Sequence, residues 1–166
     1  FPQAAIHYFI ENRWREALTC LGECERLFHQ YVQSGGWETD TAQMYASFCM
    51  LYLGEIAELG PLVQRHVRDA ERRGDLYASV NLRTRIVLPW ILADEPGRGE
   101  EDVDDALQAW AGGRDTFQVQ HFFELHSRSE LALYAGDAQR AASLMARGLP
   151  GLKRSMMTRL PIVAGE

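Results

Sequence analysis

The chain has 166 residues, of which 46% are apolar and 24% are charged, the balance of a folded protein rather than a disordered one. With 17 basic and 23 acidic residues its formal net charge is −6, whereas a nucleic-acid partner usually requires a basic face. No apolar run approaches the ~18–20 residues that cross a bilayer, so we expect neither nucleic acid nor a membrane as a partner.

An apolar period of 3.6 residues runs along the chain, broken by short turns rich in Gly, Asp and Asn. In the stretch 14–33, apolar side chains at offsets of three and four form one buried face, made of Ala17, Leu18, Leu21, Cys24, Leu27, Phe28 and Tyr31. Ser34-Gly35-Gly36 then ends this helix, and Thr39 or Asp40 is the predicted cap of the next one. The period predicts helices over residues 3–11, 14–33, 39–53, 55–73, 76–93, 100–112, 116–135 and 138–155.

Two prolines lie inside these predicted helices. A proline lacks a backbone N–H donor and its ring clashes with the preceding helical turn. We therefore expect Pro61 to kink or restart the fourth helix after Gly60. For the same reason, Pro89 is expected to kink the fifth helix.

The turns that open several of these helices recur at a fixed step. The sequences at Asn12, Gly54 and Gly136 are alike, and the interval between the last two is close to twice the interval between the first two. A further turn is therefore expected midway, near residue 95, where Asp94-Glu95-Pro96-Gly97-Arg98-Gly99 supplies helix-breaking residues.

The turns at the opposite helix ends, Gly74-Asp75 and Arg114-Asp115, are separated by nearly the same step. A period of 20–50 residues with two helices per unit indicates a solenoid, because one helix pair cannot bury its own apolar face. We predict an all-α, TPR-like solenoid of about eight antiparallel helices with a period near 41, forming a single domain over residues 1–166. Neither end carries the polar face of a capping repeat, so we expect the domain to belong to a longer chain.

Two of the turns resemble a known repeat. Asn12-Arg13-Trp14-Arg15-Glu16-Ala17-Leu18 and Gly136-Asp137-Ala138-Gln139-Arg140-Ala141 are similar to the turn between the two helices of a tetratricopeptide repeat. In that repeat a small residue lets the helices pack closely. By this resemblance, Ala17 and Ala141 are expected to be buried where each pair of helices closes.

Three longer segments carry a second resemblance: Trp37-Glu38-Thr39-Asp40-Thr41-Ala42, Leu53-Gly54-Glu55-Ile56-Ala57-Glu58-Leu59, and Arg73-Gly74-Asp75-Leu76-Tyr77-Ala78 with Asn81-Leu82-Arg83. The stretch from Trp37 to Leu152 resembles the C-terminal repeat region of large bacterial serine/threonine protein kinases. Those proteins carry a kinase domain and often an ATPase module before the repeats. The resemblance implies a regulatory or scaffolding segment, whose partners include neighbouring domains of the same chain.

The motifs that phosphoryl transfer needs are missing from the sequence itself. There is no GxGxxG, HRD or DFG motif, and Lys153 is the only lysine. A GxSxG nucleophile elbow is also missing. We therefore predict that the segment is not an enzyme and that it carries no cofactor.

His121, Glu124 and His126 form the most metal-like cluster in the sequence. On a helix, five residues at ~100° each place His126 about 140° away from His121, whereas an HExxH site has both histidines on one face. These residues are better explained as polar positions along a groove-facing helix. The sequence therefore predicts no bound metal.

The three cysteines are Cys20, Cys24 and Cys49, an odd number with apolar neighbours. Cys20 and Cys24 share a helix face, but Cβ atoms at this spacing are ~5–6 Å apart, too far for an unstrained disulfide. We predict reduced, buried thiols, as in a cytoplasmic protein.

A polar surface on two helices is the remaining candidate site. The predicted partner-binding residues are Asn81, Arg83, Arg85, Trp90, His121, Glu124 and Arg128. In TPR-like stacks the first helix of each pair lines the concave side, so the polar side of the fifth helix is expected to face solvent beside that of the seventh. Asn and Arg hold carboxylates or peptide backbone by hydrogen bonds, which predicts a partner segment that is acidic or has exposed backbone. Alternatively, these residues are ordinary solvated positions or polar ties between helices.

The sequence favours a non-catalytic segment for protein–protein interaction or regulatory scaffolding in a multidomain signalling kinase. The alternative is a ligand- or peptide-sensing module, whose concave groove switches a neighbouring catalytic domain. A deep, closed, aromatic-lined cavity would favour the sensor, and an open polar groove would favour the scaffold. A metal or redox enzyme is a third, less favoured reading, and the oligomeric state is not predicted.

Overall fold

A computed structural model describes residues 2–31, 36–110, 117–159 and 163, and these residues form helices and turns without strands. The helices are α1 (Pro2–Ile10), α2 (Trp14–Tyr31), α3 (Trp37–Leu53), α4 (Ile56–Arg73), α5 (Leu76–Arg85), α6 (Leu88–Leu92), α7 (Pro96–Ala109), α8 (Val119–Tyr134) and α9 (Ala138–Arg154), followed by a 3₁₀ turn at Met157–Arg159. The predicted all-α fold class is confirmed. None of the described helices combines the length and the apolar character that a membrane crossing requires.

Most helix boundaries lie within a few residues of their predicted positions, the largest shift being the start of α7 at Pro96 instead of residue 100, but the predicted cap of α3 is wrong. Neither Thr39 nor Asp40 caps this helix, because both lie inside its first turn and Gly36 precedes it. Asp40 instead accepts a hydrogen bond from Arg73 Nη2 at 2.7 Å. The predicted breakers Ser34-Gly35 and Arg114-Asp115 lie outside the described residues.

The two helix prolines behave differently from each other. The predicted restart at Pro61 is wrong, because α4 runs unbroken past it, with Leu59 and Val63 buried on either side. At Pro89 the chain breaks rather than kinks: α5 ends at Arg85, and α6 begins with Pro89 in its first turn. Since Pro89 has no N–H to bond the carbonyl of Arg85, the helix ends before it and restarts around it.

Phe1–Ala78 forms one compact unit, in which α1 pairs with α2, α3 pairs with α4, and α2 packs along α3. An aromatic cluster joins the first helix pair to α3. The ring of Phe9 meets that of Tyr45 edge-on at 4.9 Å between centroids, and Trp14 stacks on Tyr52 at 5.1 Å. These rings close one side of a core that is otherwise built from aliphatic residues and cysteines, including Ala5, Leu21, Cys24, Cys49, Leu59 and Val63.

Ser79–Glu166 forms a second compact unit, in which α6 packs on α7, α7 on α8, and α8 on α9. Its core centres on Val87, Val103 and Leu131, which are almost fully buried. A glycine allows α8 and α9 to approach closely: a Cβ added at Gly148 of α9 would lie 2.9 Å from Leu125 Cδ1 of α8. The division between the two units falls within α5.

Four regularly spaced turns between helices share one backbone geometry, and the turn at Gly74 between α4 and α5, with a φ of 69°, has it too. Asn12, Gly54, Asp94 and Gly136 have φ values of 59°, 71°, 58° and 79°, the left-handed conformation that ends a helix. In each turn this residue donates its N–H to the carbonyl three residues earlier, and the next residue donates to the carbonyl five residues earlier. The four turns follow one another at nearly equal intervals, and Asp94 lies where the sequence predicts a turn.

The helix after each turn begins in the same way. The backbone N–H groups of Ala17, Leu59, Gly99 and Ala141 each bond the carbonyl four residues earlier, just past the turn. All four residues are buried. The predicted burial of Ala17 and Ala141 is therefore confirmed.

Candidate functional site

A cavity of about 480 Å³ lies within the second unit, between α7 and α8. We call it the α7–α8 groove, and its lining residues are Asp104, Leu107, Gln108, Trp110, His121, Glu124 and Arg128. Both helices contribute residues at offsets of three and four, the spacing that places side chains on one helix face. The structure thus brings together three of the predicted partner-binding residues, those on α8.

Arg128 is the central charge of this groove. Its Nε donates to Glu124 Oε1 at 3.0 Å, its Nη1 to Glu100 Oε2 at 2.7 Å, and its Nη2 to Asp104 Oδ1 at 2.5 Å. Burial opposes the charged form, but the hydrogen bonds to Asp104 and Glu124 outweigh it and raise the pKa of Arg128 above its ordinary value. The side chain therefore stays cationic and ties α7 to α8.

A second guanidinium group, that of Arg140 on α9, binds one of the carboxylates around Arg128. Glu100 accepts a second charged hydrogen bond, from Arg140 Nη2 at 2.8 Å. Within the described part of this cluster, two guanidinium groups thus face three carboxylates, those of Glu100, Asp104 and Glu124. The local formal charge is −1, and the side chain of Asp104 is 66% exposed.

Gln118 and His121 fix the end of the groove where α8 begins. The side chain of Gln118 caps the first turn of α8, and the backbone N–H of Gln118 donates to His121 Nδ1 at 2.9 Å. In a neutral imidazole this places the hydrogen on Nε2. Gln118 Oε1 also accepts a hydrogen bond from Trp110 Nε1 at 3.1 Å, which anchors the indole ring at the groove.

Arg83 and Trp90 are candidate residues that do not line the groove. Arg83 Nε donates to Asp102 Oδ1 at 2.8 Å, and Trp90 Nε1 lies 3.4 Å from Asp102 Oδ2. The ring of Trp90 also lies under the guanidinium group of Arg98, at 4.9 Å from its centroid. For these residues the alternative reading, polar ties between helices, fits the contacts.

Asn81 and Arg85 are not on the surface. The expected exposure of the polar side of α5 is wrong, because Asn81 is 1% exposed and Arg85 is 3% exposed. The residues from Ala78 to Val87 are all buried except Arg83, which is partly buried, so this stretch has no side facing solvent. Neither polar atom of the Asn81 side chain has a hydrogen-bond partner within the described ranges.

These contacts bear on the chemistry of a partner. Arg83 and Arg128 are already paired with carboxylates of the same unit. An acidic partner would have to displace those pairs. By contrast, Asp104 and Glu124 each use one oxygen for Arg128, and the second oxygen of each bonds no residue that the structure describes.

Sequence reasoning missed the α7 side of the groove, namely Asp104, Leu107, Gln108 and Trp110. The available signal was the spacing of four residues between Glu100 and Asp104 and between Asp104 and Gln108, which predicts one polar face on α7. Nothing in the sequence indicates that this face meets Arg128 of α8.

Sequence reasoning also missed a buried polar chain in the first unit. Ser47 Oγ lies 3.4 Å from His66 Nδ1, and Glu25 Oε1 lies 3.8 Å from His66 Nε2. The order of groups resembles a nucleophile, a base and an acid. Because Ser47 is 0% exposed and its hydroxyl donates to the carbonyl of Gln43, a substrate cannot reach it in this conformation.

The structure does not bring His121, Glu124 and His126 of the sequence together at one site. His126 Nδ1 lies 3.2 Å from Glu130 Oε2 and does not line the groove with His121 and Glu124. Cys24 and Cys49 are buried, Cys20 is partly buried, and all three are free thiols. Within the described part of the chain, no three His, Cys, Asp or Glu side chains are grouped to hold a metal ion.

Comparison with known proteins gave no match of any kind: no protein family, no curated protein and no solved structure is significantly similar to this chain. The resemblances to tetratricopeptide repeats and to kinase repeat regions therefore stay predictions from the sequence.

Proposed function

We propose that the chain is a TPR-like helical-repeat segment that binds a protein or peptide partner in the α7–α8 groove and catalyses no reaction. The repeat part of this proposal is supported by the four turns of equal geometry at nearly equal intervals. The binding part is carried by one observation, the open space of about 480 Å³ between α7, which follows the turn at Asp94, and α8, which precedes the turn at Gly136.

Contacts between residues one period apart also support repeats that stack within each unit. Arg15 Nη1 donates to Glu55 Oε1 at 3.3 Å in the first unit. In the second unit, Tyr134 Oη donates to Asp94 Oδ1 at 2.7 Å, and Arg140 donates to Glu100. The two residues of each pair are 40 positions apart, which is the spacing expected when each repeat packs on the next.

The lining of the groove favours a peptide over an apolar small molecule. Five of the seven lining residues are polar or charged, and Leu107 and Trp110 are the two apolar ones. Pockets for small molecules are lined mostly by apolar side chains, with few polar groups. A peptide brings backbone N–H and C=O groups that such a polar lining can bond, so the scaffold reading is preferred to the sensor of a small ligand.

We also propose, from the resemblance of the stretch Trp37 to Leu152, that the segment serves a large bacterial serine/threonine kinase. In that setting the partner segment belongs to a neighbouring domain of the same chain or to a protein that the kinase regulates. The support is the three segments of similar sequence, together with the polar groove.

The test begins with selection of peptides that bind the purified chain from a random library. The affinity of the selected peptides is then measured for the unmodified chain and for a variant whose groove is filled by a larger side chain. Gln108 is exposed, lines the groove and makes no hydrogen bond to a described residue, so Gln108→Trp should fill the space without unfolding the helix. We expect a loss of affinity of at least about tenfold, because the ligand loses its contacts in the groove.

The matched control is Gln139→Trp, at an exposed position of α9 outside the groove. This variant should bind the selected peptides like the unmodified chain. If no peptide is selected, or if both tryptophan variants bind equally well, the α7–α8 groove is not a peptide-binding site.

A further inference from the structure

We propose that the partner segment presents a basic side chain, a lysine or an arginine, to the α7–α8 groove. This inference rests on the proposed function and reverses the acidic partner expected from the sequence. Its starting point is the charge balance of the groove. Among the lining residues that the structure describes, the carboxylates of Asp104 and Glu124 face one permanent cation, Arg128, and Glu100 and Arg140 behind them cancel each other.

The carboxylates have acceptor capacity left over. Asp104 and Glu124 each give one oxygen to Arg128, and the other oxygen bonds none of the residues that the structure describes. An ionised carboxylate accepts several hydrogen bonds, and those from a charged donor are about twice as strong as neutral ones. An ammonium or guanidinium group therefore finds acceptors here, whereas an incoming carboxylate meets like charge.

The indole ring of Trp110 provides a second kind of contact for a cation. Its Nε1 is anchored on Gln118, and the ring lines the same groove as the two carboxylates. A cation over an indole face is attracted by the ring quadrupole. Contacts of a cation with an aromatic ring occur elsewhere among the described residues, with Arg98 over Trp90 and Arg13 over Tyr8.

The remaining polar groups suit the backbone beside such a side chain. The Nδ1 atom of His121 accepts from the backbone of Gln118, so Nε2 carries the hydrogen and can donate to a peptide carbonyl. The amide of Gln108 can both donate and accept. A volume of about 480 Å³ lies within the range of ~300–1,000 Å³ that small ligands occupy, which is room for one long side chain and its adjoining backbone.

The experiment uses the full chain and three matched probes: N-acetyl-arginine amide, N-acetyl-glutamine amide and N-acetyl-glutamate amide. Binding is followed by NMR through the indole resonance of Trp110 and the ring resonances of His121. We expect saturable shifts with the arginine probe and none with the other two.

A pair of variants then isolates the charge. Gln108→Glu should tighten binding of the arginine probe by roughly two- to fivefold, and Gln108→Lys should weaken it by a similar factor, the size expected for a partly exposed charge pair. Gln139→Glu and Gln139→Lys change the net charge equally outside the groove and should leave the affinity nearly unchanged. Circular dichroism of all four variants should match that of the unmodified chain.

The outcomes separate this inference from the proposed function. If the glutamate probe binds and the two Gln108 variants act in the opposite sense, the basic partner is wrong while the groove remains a peptide site. If the arginine probe causes no shift although selected peptides occupy the groove, the inference is likewise wrong. If spermidine binds more tightly than any arginine-containing peptide, the occupant is a small polyamine and the basic partner segment is rejected.

Discussion

At the scale of single residues, burial shifts the pKa values of two titratable groups of the first unit, His66 and Asp40, in opposite directions. Burial lowers the pKa of His66 to about 4, and Glu25 and Asp69 oppose this only in part. Burial, together with the neighbouring Asp75 carboxyl, raises the pKa of Asp40 to about 6, although Arg73 acts against it. His66 therefore favours the folded state at neutral pH, and Asp40 favours the folded state in acid.

The signs follow from proton binding in the folded and unfolded states. Between pH 6.5 and 4 the unfolded chain binds more protons at His66, so the free energy of unfolding falls as the pH falls. Between pH 6 and 3.8 the folded chain binds more protons at Asp40, so the free energy of unfolding rises as the pH falls. In the overlap, from about pH 6 to 4, the two contributions offset each other.

We predict that Asp40→Asn exposes the contribution of His66. Asn keeps an oxygen for Arg73 but cannot gain a proton, so on acidification from pH 7 to 4 the variant should lose up to about 3 kcal/mol more stability than the unmodified chain. Urea unfolding at several pH values measures this difference. His66→Asn should shift the difference in the opposite direction, and parallel pH profiles for all three proteins would show that neither group is perturbed in the folded state.

At the scale of elements, α7 contains two glycines in very different surroundings. A Cβ added at Gly99 would lie 2.9 Å from Leu131 Cδ2 and 3.2 Å from Trp90 Cβ, both packed in the core of the second unit. A Cβ added at Gly97 would have no atom within 4 Å. Of these two glycines, only Gly99 is therefore needed for the close packing of α7 against Leu131 and Trp90.

This contrast gives a matched pair of substitutions in one helix. Gly99→Ala should destabilise the protein by about 1–3 kcal/mol, because Leu131 is 1% exposed and has little space to move. Gly97→Ala should stabilise it by up to about 1 kcal/mol, because alanine favours the helix and meets no obstacle. Thermal unfolding monitored by circular dichroism measures both, and equal shifts in the same direction would contradict the packing at Gly99.

The helices themselves could be predicted because their signals are local. Apolar offsets of three and four, with Gly, Asn or Asp at the turns, depend on neighbouring residues only, and Asp94 takes its turn where the period predicts. The exposure of α5 could not be predicted in this way. The sequence predicts a solvated helix face at Asn81 and Arg85, yet both residues are buried. Whether a helix is buried on all sides depends on elements that are distant in the sequence.

The candidate site was predictable on one helix and not on the other. His121, Glu124 and Arg128 share a face of α8 by their spacing, and all three line the groove. The partners of Arg128 on α7, Asp104 and Glu100, are distant in sequence, and a single sequence does not single them out among 23 acidic residues. The sequence therefore predicted a surface for an acidic partner. In the structure, the described residues of the groove carry both signs of charge, with more carboxylates than guanidinium groups.

At the scale of the whole molecule, the net charge of −6 agrees in sign with the groove. A repeat protein offers its partner an extended surface, and the summed charge of that surface steers the encounter before any contact forms. A basic partner segment would be attracted over a Debye length of ~30 Å at 0.01 M salt, but over only ~8 Å at 0.15 M. The proposed partner chemistry thus has a kinetic consequence.

We predict that the association rate of a selected basic peptide falls by roughly two- to tenfold between these two salt concentrations, while its dissociation rate changes less. Stopped-flow fluorescence of Trp110 and the other tryptophans measures both rates. The control is the same peptide with glutamine in place of its basic residue, whose association rate should hardly depend on salt. An association rate that rises with salt, or that depends on salt equally for both peptides, would mean that the partner does not meet the groove through a positive charge.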